Sequence, residues 1–126
     1  MLKKTPLGQV LGLGSAKAGT EHWWHQRVTA IAGIPLVIFL VIYLLVHRGA
    51  SRAEITESMH NPIVAILMGL TIANLAWHMR LGLQVVIEDY VHTYQTKYAL
   101  LLLNTFFAVV MAVAALYAIL KMSIGL

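Results

Sequence analysis

The sequence contains no cysteine. Disulfides, thiolate-bound zinc, iron–sulfur clusters and cysteine nucleophiles are therefore excluded from the chain itself. Charge is nearly as scarce: Asp, Glu, Lys and Arg make up 11% of the 126 residues, where soluble domains carry about a quarter. Hydrophobic residues make up 60%, and the mean hydropathy is +0.77. Such a chain would expose too much apolar surface to stay in water, which excludes a soluble enzyme enclosing its own pocket. The length allows one domain, residues 1–126. Lys and Arg outnumber Asp and Glu nine to five. In so apolar a chain that surplus reads as a topology signal rather than a nucleic-acid footprint, so the partner expected is membrane lipid and no nucleic acid.

Three long apolar runs are present. Val28–Val46 is 19 residues without a charge, between Arg27 and His47-Arg48. At 1.5 Å per residue it reaches roughly 28 Å, close to the hydrocarbon thickness of a bilayer. The second run follows Asn61-Pro62, a helix start in which proline's missing N–H costs nothing, and ends at Glu88-Asp89-Tyr90. The third, Tyr98–Leu120, is uncharged between Lys97 and Lys121. The expectation is an all-α integral membrane protein with three transmembrane helices, spanning roughly 28–47, 62–90 and 98–120. Residues 1–27 read as a tail lying on the inner surface, and His47–Asn61 as an ordinary solvated loop.

The first apolar run is too long for a signal peptide and has no small-residue cleavage site after it. The glycine-rich stretch Gly12–Gly19 lacks the strand and the Gly-Lys-Ser/Thr ending that a phosphate loop needs. With three spans, Lys3, Lys4, Lys17, Arg27 and Lys97 fall on one side, against Arg48, Arg52 and Lys121 on the other. The positive-inside rule puts the N-terminus in the cytoplasm or its organelle equivalent. The lack of an Arg- and Ser-rich transit peptide points to a bacterial inner membrane rather than a mitochondrial one.

Three polar clusters interrupt this pattern. His22-Trp23-Trp24-His25-Gln26-Arg27 suits an interfacial anchor and also an anion contact through His or Arg. Asn74, His78 and Gly82 recur every four residues, hence on one helical face. A histidine that deep serves as a packing residue, a proton relay or an axial ligand to haem, with Gly82 giving a flat ring clearance. Asp89 is about 20° from the His78 stripe at 100° per residue, and Tyr90 follows it. A carboxylate beside a phenol is either a polar helix end or a pair that orders protons around a carbonyl oxygen. Asn104 and Thr105 suit hydrogen bonds between helices.

Two of these segments together, His22–Ile31 and His78-Met79-Arg80-Leu81-Gly82 continuing through Asp89-Tyr90-Val91, resemble the small hydrophobic anchor subunit of succinate dehydrogenase. This is the D-type subunit of respiratory complex II. The resemblance implies half of a heterodimeric haem-binding helix bundle, not catalytic by itself, passing electrons from succinate to ubiquinone. It implies that His78 is an axial ligand to haem b iron and that Tyr90 and Asp89 line the ubiquinone site. It further implies that Arg27 lies near the haem propionates, with His22 or His25 beside it. The implied partners are a C-type cytochrome b anchor subunit, an iron–sulfur subunit and a flavoprotein subunit. Arg80 stands where the family carries a bulky apolar residue, and a contact with a quinone or propionate is one role open to it. The alternatives are the anchor of a quinol:fumarate reductase and a cofactor-free membrane scaffold.

Overall fold

A computed structural model of the chain describes residues 6–7 and 17–125. Lys3, Lys4 and Gly12–Ala16, on which part of the tail and charge reading falls, lie outside the described residues. Among residues 17–125 four helices follow one another: α1 (Lys17–Val46), α2 (Arg52–Met59), α3 (Pro62–Tyr90) and α4 (Tyr94–Ser123). Among the described residues there is no strand. Three of the helices are long and apolar enough to cross a membrane. Only 11% of each one's most apolar stretch is buried. Their apolar surface therefore faces outward, toward lipid or other helices, rather than into a core of this chain.

The helices form an antiparallel row in which α3 is central and α1 and α4 each pack chiefly on it. On one side Thr29 meets His78 and Asn74. On the other, Arg80 meets Thr105 and Asn104. Near the end that carries the α1–α2 connection, Tyr43, Met59, Met68 and Ile119 make a small buried cluster that draws on all four helices. Tyr43 ties it to α2 through a 2.6 Å hydrogen bond with Ser58.

Helix boundaries follow local chemistry. α1 gives way to a turn in which Gly49 takes φ +79°, a left-handed conformation that suits glycine. Asn61 caps α3 by accepting from the Ile63 N–H at 3.0 Å, with Pro62 in the first turn as the sequence suggests.

Two segments differ from the sequence reading. The loop His47–Asn61 contains the helix α2, started by a capping box in which Ser51 and Glu54 exchange hydrogen bonds. The Ser-x-x-Glu signature was there to be read. The first helix, moreover, starts at Lys17, eleven residues before the apolar run. In that extension the inward face carries His22 and Gln26, two turns and one turn before Thr29. A polar stripe at helical spacing holds the extension against α3, and a hydrophobic pattern does not report it.

Candidate haem groove and inner-side site

On the α1–α3 seam, Thr29 and Gly33 face Asn74 and His78. Thr29 Oγ1 lies 2.9 Å from His78 Nδ1, and Asn74 Nδ2 donates to the Thr29 carbonyl at 3.0 Å. The helices approach closely here because position 33 has no side chain: a Cβ on Gly33 would stand 3.1 Å from Asn74 Nδ2. Alongside this seam runs an open groove of about 460 Å³ with mostly apolar walls, lined by Ala30, Ile34, Ile38 and Leu75 beside His78. With Nδ1 engaged by Thr29, Nε2 is the ring nitrogen left for a ligand.

An imidazole held by one nitrogen, apolar walls and an open side fit a flat iron macrocycle. A methyl at Gly82 would meet only Gln26 Nε2, at 3.9 Å, whereas Gly33 is the tight position.

The three residues expected near the propionates separate. Arg27 precedes Ala30, Ile34 and Ile38 by three, seven and eleven residues, so it continues the groove-lining stripe toward the end of the bundle that carries the α3–α4 connection. It is exposed, and its guanidinium lies 5.5 Å from the centre of the Trp23 ring. His25 turns edge-on to Trp77, with ring centres 6.4 Å apart. His22 opens onto a separate cleft of about 240 Å³ with Gln84 and Glu88. Its Nε2 and the neighbouring Gln26 Oε1 are buried without a partner among the described residues.

Arg80 faces away from the groove, about 200° around α3 from His78. Its Nε donates to Thr105 Oγ1 at 3.2 Å, and its guanidinium lies 4.9 Å from the Trp77 ring centre. Asn104 adds an Nδ2 bond to the Arg80 carbonyl at 2.9 Å. Asn104 and Thr105 thus bond between helices as expected, and Arg80 is part of the α3–α4 seam.

Asp89 and Tyr90 occupy the last turn of α3, which stops where Val91 becomes extended. Both are exposed, Tyr90 at 78%. Only residues 91–93 separate this end from α4. The acid and phenol therefore sit on an open rim, able to form one wall of a site whose other walls come from elsewhere.

Thr29 and Gly33 are the site residues that sequence reasoning missed. The signal was a stripe of small and polar residues, His22, Gln26, Thr29 and Gly33, at helical spacing.

Comparison with known proteins adds independent findings. Residues 1–119 match the family model described as succinate dehydrogenase/fumarate reductase transmembrane subunit. A succinate dehydrogenase hydrophobic membrane anchor subunit of Rickettsia bellii (strain RML369-C) is 31% identical over 106 residues, covering 84% of this chain and 85% of the relative. The protein of that name from Paracoccus denitrificans is 29% identical over 121 residues, covering 96% and 93%. A succinate dehydrogenase membrane anchor subunit of Reclinomonas americana is 34% identical over 84 residues, covering 64% and 70%. No solved structure matches.

Proposed function

Since the chain belongs to the succinate dehydrogenase/fumarate reductase transmembrane-subunit family, we propose that it anchors a succinate:ubiquinone oxidoreductase in the bacterial inner membrane. In this reading it supplies one axial ligand of haem b and one wall of the ubiquinone site. The observation that carries the reading is the His78 imidazole, held at Nδ1 by Thr29 on an apolar groove open to one side.

The chain acts as a single membrane domain whose groove is completed by a C-type cytochrome b anchor. Iron–sulfur and flavoprotein subunits dock on the inner face and carry the succinate chemistry, since this sequence offers no cysteine for clusters. Arg27 and Lys97 lie at the end of the bundle shared with Asp89-Tyr90, with Arg48, Arg52 and Lys121 at the other. With the positive-inside rule, this supports placing the Asp89-Tyr90 end and the N-terminus in the cytoplasm.

His78 would hold the iron of haem b through Nε2, and Arg27 would offer a guanidinium fork to a haem carboxylate. His22, whose Nε2 has no partner among the described residues, is a second candidate for that region, and His25, packed on Trp77, is a positioning residue. Bound haem b supplies reversible one-electron exchange. At the rim, Tyr90 donates its phenolic O–H to a ubiquinone carbonyl, and Asp89 orders proton supply to the oxygen that gains charge. Reduction to ubiquinol consumes two electrons and two protons, both protons drawn from the inner side.

The test is optical. The complex purified through this chain and reduced with dithionite is expected to show a b-type absorption band that His78→Ala removes or shifts. A complex without that band would leave a scaffold role alone.

A further inference from the structure

Resting on the haem reading of the groove, we propose that Thr29 is a positioning residue that fixes the tautomer of His78, with Asn74 and Gly33 fixing Thr29. The Thr29 hydroxyl has one proton and three neighbours. Its oxygen lies 2.8 Å from the His25 carbonyl oxygen, 3.1 Å from the Gln26 carbonyl oxygen and 2.9 Å from His78 Nδ1. Two oxygens 2.8 Å apart with no proton between them set lone pair against lone pair. The hydroxyl proton therefore points at the backbone carbonyl, a bond that threonine in a helix makes readily.

The hydroxyl then has only lone pairs to present to His78, so Nδ1 carries the proton and donates it. Nε2 is left unprotonated. An imidazole in this form has its free lone pair on the nitrogen away from α1, the form that metals bind. Donation from Nδ1–H also increases the basicity of Nε2.

The rest of the constellation holds the ring's height. Asn74, one turn before His78, donates to the carbonyl of Thr29 itself, so one residue of α1 is gripped by two residues of one α3 face. Gly33 makes the grip possible, because any side chain there presses on the Asn74 amide. Threonine suits the post better than an unbranched residue, since β-branching restricts its rotamer.

The experiment uses the intact complex, purified through a tag on this chain, with Thr29→Val and Thr29→Ser. Valine keeps the shape and removes the acceptor; serine restores it. Haem loss to excess apomyoglobin is expected to be about 10- to 100-fold easier in the valine variant, the range for removing a ligand's outer partner. The haem midpoint potential is expected to move positive as Nε2 loses basicity, and serine to return both readouts toward the parent. Valine with unchanged haem retention and potential would overturn the proposal.

Should the valine complex fail to assemble, ¹⁵N-histidine NMR of the reduced parent complex decides. A protonated Nδ1 on His78 is required, and an unprotonated one overturns the assignment. If the parent has no b-type band, the haem reading itself fails. The tautomer, measured on that same haem-free complex, then still stands or falls separately.

Discussion

The side-chain amide of Asn74 occupies the space that a side chain at Gly33 would need, its nitrogen 3.1 Å from an ideal Cβ there. This close approach puts the two helices at the separation at which Asn74 reaches the Thr29 carbonyl and Thr29 reaches His78. Gly33→Ala pits a helix-propensity gain of about 1 kcal/mol against weakening a hydrogen bond of about the same worth. Thermal stability of the complex should therefore change little. Gly33→Leu has no such outlet: it fills the groove beside His78, and the dithionite-reduced spectrum should lose its b-type band. A normal spectrum in the leucine variant would show that the groove is not where the ring sits.

Arg80, braced against Trp77 on its own helix, ties α3 to α4 through Thr105 on the opposite side of the row. Arg80→Leu forfeits a charged hydrogen bond worth about 1.5–3 kcal/mol and a cation–π contact of about 0.5–1 kcal/mol. Detergent-solubilised complex should come apart at lower temperature, read by size-exclusion chromatography after heating. Arg80→Lys should recover only part of the loss, because an ammonium lacks the planar face and the Nε donor. The haem spectrum should stay unchanged in both, since the guanidinium points away from the groove.

Tyr90→Phe removes a phenolic donor and leaves the helix end intact. Quinone reductase kcat/KM should fall roughly 10- to 100-fold, the equivalent of about 1.5–3 kcal/mol for a hydrogen bond to a charged group, while the b-type band persists. Normal quinone kinetics in this variant would remove Tyr90 from the site.

The carboxyl of Glu54 is held below its ordinary value of 4.5, first by the Ser51 backbone N–H, then by the Ser51 hydroxyl and, more weakly, by His47. A lowered folded-state value means that the ionised cap stabilises α2 above the ordinary carboxyl range. That contribution fades as pH falls through the lowered value. Hydrogen exchange across Arg52–Met59 should therefore speed up on the acid side in the parent. In Glu54→Gln it should already be faster at neutral pH, with the acid-side change diminished.

Much of this molecule was legible in its residues. Three apolar runs of bilayer length, the Asn61-Pro62 helix start and the interhelical roles of Asn104 and Thr105 follow from hydropathy and from the cost of unpaired polar groups in lipid. His78 stood out as an expensive residue at depth, and Asp89-Tyr90 as a chemically distinct helix end.

What stayed hidden was direction. In a membrane helix the lipid-facing side is as apolar as the packed side, so the hydrophobic pattern does not say which face meets which neighbour. Hence Arg80 could be read toward a quinone or a propionate although it packs against α4, and the close approach of Asn74 to Gly33 left no mark in the pattern. His22, His25 and Arg27 formed a single cluster on paper, but the helix that carries them sends each one elsewhere. Composition and spacing fix what crosses the bilayer and which groups must find partners. Which partner each finds depends on how α1 and α4 dock against α3, and that docking is set by contacts between residues as far apart as Thr29 and His78.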